Sequence, residues 1–220
     1  MKIVCISDPH GKWGKLQIPE CDILISTGDY SFRGEKHMVR DYHAWLNKQE
    51  AGYIISVQGN HETFTDRIRR GVNGGITFAQ AKEIAEKECP GVHFVEHELV
   101  EIEGVKIFCS AWTPFFCNWA YNAHRGEEIK KLWDDIPEDT QILATHGPPY
   151  KILDECPDGT LVGCADLWNK ILQLKQLKMH CFGHIHHSSG EKDFNGIKFI
   201  NAAICDESYM PTNPIRIFEL

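Results

Sequence analysis

Seven residues spread over most of this chain carry side chains of the kind that hold metal ions: Asp8, His10, Asp29, Asn60, His146, His184 and His186. They fall in five short polar clusters, Asp8-Pro9-His10, Gly28-Asp29, Gly59-Asn60-His61-Glu62, His146-Gly147 and Gly183-His184-Ile185-His186. Imidazole and carboxylate are natural ligands of Zn, Fe and Mn. Two carboxylates, one amide and four imidazoles suffice for two such ions with coordination positions left open. Taken singly, each cluster is weak. Asp-x-His neighbours are common, Gly-Asp is mostly a turn, and Gly-His-x-His is also a pattern of surface histidines. All five in one chain, in this order and similarly placed, are poorly explained by chance.

Their placement follows from the elements around them. Each cluster comes directly after a short apolar run, at residues 3–6, 23–25, 53–57, 141–144 and 179–182. Such runs suit strands buried on both faces of a sheet. In open α/β sheets ligands bind beyond the carboxyl ends of the strands, so five strand ends can converge on one site. Gly28, Gly59 and Gly183 directly precede ligands, where a close backbone approach would strain a larger residue. Asp8 precedes Pro9, which biases it toward an extended conformation on the strand's own trajectory.

The remaining pattern predicts an α/β fold with mixed sheets and helices on their outer faces. Met38, Tyr42, Trp45 and Leu46 form the stripe of an amphipathic helix, and a second helix spans residues 78 to about 89. Residues 93–95, 98–102 and 105–110 read as strands, the last two joined by a tight Glu103-Gly104 turn in an antiparallel hairpin. Residues 111–125 are rich in aromatics without regular period. A short helix to about Trp133 follows, then a helix with Leu167, Trp168, Ile171 and Leu172 on one face, and late strands at 197–200 and 215–218. No linker or repeat interrupts the 220 residues, so a single domain over residues 1–220 is expected.

The formal net charge of -8 opposes long nucleic-acid backbones, while leaving room for a small phosphate at a cationic centre. Nine cysteines, an odd number without a CxxC pair, read as reduced structural thiols. The chain opens on a strand-like run rather than a signal peptide, and no apolar segment approaches the ~20 residues that span a bilayer. The expectation is a soluble, cytoplasmic protein with no membrane partner. Its oligomeric state is not encoded in any motif.

The ordered set Asp8-x-His10, Gly28-Asp29, Gly59-Asn60-His61-Glu62, His146 and Gly183-His184-x-His186 resembles the calcineurin-like metallophosphoesterase superfamily, over residues 3 to about 202. Trp112-Thr113-Pro114-Phe115, Tyr121-Asn122 with Arg125-Gly126, and Thr145-His146-Gly147-Pro148-Pro149 are similar to its metallophosphoesterase-domain-containing (MPPED-type) subfamily. The resemblance implies a four-layer α-β-β-α sandwich of two mixed sheets, with the metal site at the strand C-terminal ends. It implies one divalent ion on Asp8, His10, Asp29 and His186. A second would sit on Asn60, His146, His184 and a bridging Asp29, the metals being Mn, Zn or Fe. His61 would be the catalytic proton donor, with Asn60 and His61 also contacting substrate. The protein Ser/Thr phosphatase branch usually carries Asp-Arg-Gly after its Gly-Asp and an arginine before Gly-Asn-His. Here Tyr30 follows Asp29 and Gln58 precedes Gly59, which argues against that branch.

The implied reaction is hydrolysis of a small or nucleotide phosphodiester, including a cyclic one, by a hydroxide held between the ions. Two ions ~3.5–4 Å apart clamp phosphoryl oxygens and lower a water's pKa toward ~7. General acid catalysis by His61 would contribute ~10²–10⁴-fold, or ~3–5 kcal/mol of barrier. Trp112 and the aromatics up to Tyr121 suit either a substrate wall, stacking bases at ~1–3 kcal/mol each, or packing beneath a long loop. The alternatives are a phosphomonoesterase or nuclease with the same site, and a catalytically silent interaction scaffold. A scaffold of this kind typically loses ligands, and none is lost here.

Overall fold

The computed structural model describes residues 1–66 and 76–220. In chain order the elements are β1 (Lys2–Ile6), β2 (Cys21–Ser26), α1 (Lys36–Leu46), β3 (Ala51–Val57), α2 (Thr63–Asp66), α3 (Phe78–Glu88), β4 (His93–Val95), β5 (His97–Ile102) and β6 (Val105–Ser110). There follow β7 (Thr113–Pro114), β8 (Asn122–Ala123), α4 (Glu127–Asp134), β9 (Ile142–Thr145), α5 (Ala165–Ile171), β10 (Met179–Phe182), β11 (Gly190–Phe194), β12 (Ile197–Asn201) and β13 (Arg216–Glu219).

Two mixed sheets result, ordered β13-β1-β2-β3-β4 and β11-β12-β10-β9-β6-β5. Within each, the central strands run parallel, and three of the four edge strands are antiparallel, β13 on β1, β5 on β6 and β11 on β12, while the edge strand β4 runs parallel to β3. The side-chain period of two explains the layering. Ile3, Cys5, Ile23, Ile25, Ile55 and Val57 face the second sheet and meet Ile107, Cys109, Ile142, Ala144, Met179 and Cys181. The alternate residues Val4, Ile6 and Leu24 face outward onto Val39, Tyr42 and Leu46 of α1 and onto Ala81 and Ala85 of α3. On the far side, Phe108, Leu143, Phe182 and Phe199 pack on Ile129 and Trp133 of α4 and on Leu167 and Ile171 of α5. This is the expected α-β-β-α sandwich.

Capping chemistry fixes the helix that backs the first sheet. Thr77 and Gln80 make a reciprocal capping box at the start of α3, as the two polar side chains satisfy two otherwise free N–H groups. The β5–β6 hairpin turns through Glu103 at φ 50° and Gly104 at φ 81°, two left-handed residues of the kind a two-residue turn requires. One expectation fails at α5. Leu172 is the helix's C-cap and 55% exposed, because the helix stops one residue before its apolar stripe does. At the site end the two sheets are joined by hydrogen bonds, with Ser7 pairing with Ala203 through Ser7 N to Ala202 O (2.9 Å) and Ile204 N to Ser7 O (2.8 Å).

Candidate metal centre

The loops leaving β1, β2, β3, β9 and β10 meet at one end of the sandwich and bring the seven expected ligands together. Asp8, His10 and His186 offer ligand atoms within 4.8 Å of one another, and so do Asp29, His146 and His184. A third such group, His10, Asp29 and His61, links the two. Asp8, His10, Asp29, Asn60 and His146 are at most 3% exposed. The spacing is that of a caged site: His186 Nε2 lies 3.4 Å from Asp8 Oδ1, His146 Nε2 lies 3.4 Å from Asp29 Oδ2, and the Nε2 atoms of His10 and His186 lie 3.2 Å apart.

These groups fit metal ions on the chemistry of their donors. His146 Nδ1 lies 2.7 Å from the Thr27 carbonyl and His186 Nδ1 lies 3.0 Å from the Asp206 carbonyl. A carbonyl only accepts, so each Nδ1 carries a proton and each Nε2 is the atom left to take a second proton or a metal ion. Both Nε2 atoms face acceptors, Asn60 Oδ1 at 2.7 Å from His146 and Asp8 Oδ1 at 3.4 Å from His186. Asp8 Oδ1 is buried with no hydrogen-bond partner besides that contact. Acceptors converging on these nitrogens in a buried space require positive charge there, a proton or a metal ion.

The electrostatics show the same demand. Burial opposes ionisation of Asp8, but hydrogen bonding to His186 and the charges of His186 and His146 outweigh it and hold the carboxyl at about 2. Burial also opposes ionisation of Asp29, and the charges of His146 and His61 hold it well below the usual carboxylate range. Against burial, Asp29 raises His146 to about 9, and Asp8 raises His186 to about 9. Burial lowers His10 to about 4 and His184 to about 3, so these two rings present neutral nitrogens. A divalent ion bound in the cluster would take the place of the protons on His146 and His186.

Four candidate ligands have left-handed backbones: Asp8 at φ 53°, His10 at 37°, Asp29 at 53° and His184 at 68°. The extended conformation expected of Asp8 from its following proline is thus overridden. Left-handed geometry costs ~1–2 kcal/mol for a residue with a Cβ, and it persists because cross-loop hydrogen bonds over-determine it. Asp8 N donates to Gly28 O (3.0 Å), His10 N to Asp29 O (3.1 Å) and His184 N to Asp8 Oδ2 (2.8 Å). Close approach also explains two glycines. A Cβ on Gly183 would overlap Asp8 Oδ2 and Ser7 Oγ, and one on Gly59 would overlap Asp29 Oδ1.

A profile of the calcineurin-like phosphoesterases matches residues 1–188. The chain belongs to that family. It is therefore a metal-dependent phosphoester hydrolase by family, with candidate ligands for the metals in place. It is similar to the human metallophosphoesterase domain-containing protein 1, at 32% identity over all of this chain and 71% of the relative. A UPF0046 protein of Caenorhabditis elegans is 30% identical over all of this chain and 60% of its own length. Among solved structures, the phosphopantetheinyl hydrolase of Mycobacterium tuberculosis shares the fold with a TM-score of 0.57 at 16% identity, covering 94% of this chain and 90% of that one. The TT1561 protein of Thermus thermophilus does so with a TM-score of 0.58 at 12% identity, covering 91% and 88%.

The metallophosphoesterase site opens into a cleft of about 330 Å3, lined by Asp29, Asn60, His61, Trp119, His186 and Tyr209 among others. His61 stacks on Trp119 with centroids 4.4 Å apart, its Nδ1 lies 3.1 Å from the Phe32 carbonyl, and its Nε2 faces Asp29 Oδ2 at 3.9 Å. Tyr209 sets its ring edge-on to His10 at 4.8 Å and to His186 at 5.6 Å. Trp112, for which both a substrate wall and packing were open, packs partly buried against the core and meets Tyr121 edge-on. Phe116 and Trp119 from the same segment line the cleft. The segment is organised by Asn122, whose side-chain nitrogen donates to Thr113 Oγ1 and Ala120 O.

Sequence reasoning gave Glu62 no role. The structure makes it the tie between two ligand loops: its buried carboxylate accepts from Asp29 N (3.0 Å), Gly59 N (2.7 Å), Ser31 N (3.0 Å) and Ser31 Oγ (2.8 Å). Burial and the charge of Asp29 push it up to about 7, against donors that favour the ionised form. Its position directly after Asn60 and His61 was the available signal. Histidines outside the cluster have other partners: His43 bonds Val39 O and Ser56 Oγ in the core, His180 bonds Thr145 Oγ1, and His187 pairs with Glu207 at the rim. All nine cysteines are free thiols. Among the described residues no helix is long and apolar enough to cross a membrane.

Proposed function

We propose that this protein is a two-metal phosphodiesterase acting on small or nucleotide phosphodiesters, cyclic ones included. The observation that carries the reading is the pair of ligand groups joined through Asp29, with His61 at their edge. Asp8, His10, Asp29 and His186 would hold one ion, and Asp29, Asn60, His146 and His184 the other. When bound, such ions polarise phosphoryl oxygens and activate a water. Mn, Zn and Fe all suit a mixed nitrogen and oxygen donor set.

The chain's own residues supply the rest. The Phe32 carbonyl and the Trp119 ring hold the His61 imidazole in one orientation, with Nε2 turned toward the cluster. From there it delivers a proton to the departing ester oxygen. The Asp29 Oδ1 atom accepts from His61 N at 2.8 Å, which ties the proton donor to the bridging carboxylate. The cleft's modest volume and the net charge of -8 favour a small ester over a long nucleic acid. Nine free thiols support a reducing, cytoplasmic setting.

The test compares leaving groups in Mn2+-reconstituted protein. Replacing His61 with Ala should slow diesters of poor leaving groups by ~10²–10⁴-fold, while esters of p-nitrophenol, which need little protonation, slow far less. Equal slowing of both would remove His61 from the proton-donor role. A parallel panel of bis-p-nitrophenyl phosphate, p-nitrophenyl phosphate and single-stranded DNA separates a diesterase from a monoesterase and a nuclease.

A further inference from the structure

A second cavity of about 310 Å3 adjoins the reaction cleft, and Phe116, Cys156, His184 and Ile185 line both. Its remaining wall is largely apolar, with Phe115, Pro148 and Val162 on it, and Arg125 is its charged side chain. We propose that this cavity is a specificity pocket that receives a flat, apolar ester group of the substrate. The inference rests on the phosphodiester reading and narrows it.

Position comes first. His184 is a proposed ligand of the second ion, and Gly147 on the same wall directly follows the proposed ligand His146. A phosphoryl group seated on the ions therefore has its ester arm within reach of this space. Phe116 forms the partition, its ring edge-on to His184 at 4.9 Å between centroids.

The wall is also rigid, as a selective pocket requires. Phe115 N donates to Ala123 O (2.8 Å) and Phe116 N to Asn122 Oδ1 (3.2 Å), which pins the aromatic loop across the β7–β8 pair. Arg125 straps that loop to the opposite wall by donating through Nη1 to Gly163 O (2.8 Å) and through Nη2 to Val162 O (2.6 Å). Asp154 Oδ2 holds the same wall from behind, accepting from Gly163 N at 2.9 Å. Folding leaves Phe115 47% exposed on this pinned loop, stacked on His124 at 4.7 Å. An aromatic ring fixed in an open cavity presents contact area at little entropic cost. The planar guanidinium of Arg125 suits a flat ring as well, since it stacks on aromatic faces and donates to acceptors at their edges.

The experiment uses the Mn2+-reconstituted protein and p-nitrophenyl diesters whose second ester group is methyl, phenyl or 2-naphthyl. The ratio of kcat/KM for the naphthyl ester over the methyl ester should be roughly tenfold to a hundredfold, the range for burying one aromatic group. Val162→Glu, and independently Phe115→Ala, should bring that ratio close to one. A second readout is calorimetric binding of 2-naphthyl phosphate against methyl phosphate, where the same preference should appear and should weaken in both variants. A flat diester series together with equal binding of the two phosphates would overturn the pocket. So would a naphthyl preference that both variants leave unchanged. If no diester is hydrolysed while the binding preference holds, the diesterase reading falls and the pocket stands.

Discussion

Replacing Glu62 with Gln changes one oxygen into an NH2 group and removes a charge, and the surrounding donors let the cost be worked out. Placed at the Oε2 position, the new NH2 would face the backbone N–H groups of Asp29 and Gly59, neither of which can turn away. At the Oε1 position it faces Ser31 N–H and the Ser31 hydroxyl, and the hydroxyl can rotate to accept. The second placement is cheaper. It loses one charge-assisted bond, about 1.5–3 kcal/mol, and weakens the two at the other oxygen by roughly 1 kcal/mol each as they become neutral. The expected loss is therefore about 3.5–5 kcal/mol where Glu62 is ionised, above its value of about 7. It would be read as the fall in unfolding free energy by urea titration of Mn2+-loaded protein, wild type against Glu62→Gln, at one metal concentration and one pH well above that value. Because the broken bonds tie the Asp29 loop to the Asn60 loop, metal occupancy should fall with it. A loss below about 1 kcal/mol, with both ions retained, would refute the view that Glu62 holds these loops in register.

Three further outcomes are expected. Gly183→Ala should displace Asp8 and lower affinity for the ion it helps to hold at least tenfold, measured by metal titration, because the added methyl collides with Asp8 Oδ2; unchanged metal uptake would show that the loop yields freely. Asp29→Ala should lose both ions together by elemental analysis, and retention of one full equivalent would contradict bridging. The core should be acid-labile. Burial holds His43 at about 4 and His180 at about 3, below the unfolded value of ~6.5. Their contribution is full above ~6.5 and fades as pH falls through the folded values, by about 1.4 kcal/mol per pH unit per ring. Urea unfolding of metal-free protein between pH 6 and 4.5 should therefore show a shallower pH slope in His43→Phe, and identical slopes would exclude His43 as a source.

The parts of this molecule readable in its sequence are those governed by local pattern. The apolar runs before Asp8, Asp29, Asn60, His146 and His184 are strands because β-branched and aliphatic side chains are buried on both faces there. Their ends must share one edge of a parallel arrangement, so the ligand set could be drawn from the order of the clusters alone. What stayed hidden depends on distant partners. The proline after Asp8 argues for an extended residue, but hydrogen bonds to Gly28 and His184 decide the outcome. Glu62 looks like any acidic loop residue until the backbones of Asp29, Ser31 and Gly59 close on it. Among the aromatics of residues 112–121, composition cannot say which ring faces the cleft. The left-handed residues Cys117 and Asn118 lie between Phe116 and Trp119, which both line the cleft, whereas Trp112 packs partly buried against the core.

The candidate ligands of each ion would come from both layers of the sandwich: Asp8, His10, Asp29 and Asn60 from the first sheet's loops, and His146, His184 and His186 from the second's. Each cation, once bound, would be a rivet through two plates, closing a chain loop from residue 8 to residue 186 for one ion and from residue 29 to residue 184 for the other. Withdrawing it would release the entropy of that long loop and leave the Asp8 and Asp29 carboxylates side by side on the first sheet without a cation between them. Resistance to heat and proteases should then rise with the logarithm of free metal concentration above the dissociation constant, so the ions that would serve the chemistry also clamp the two halves of the fold.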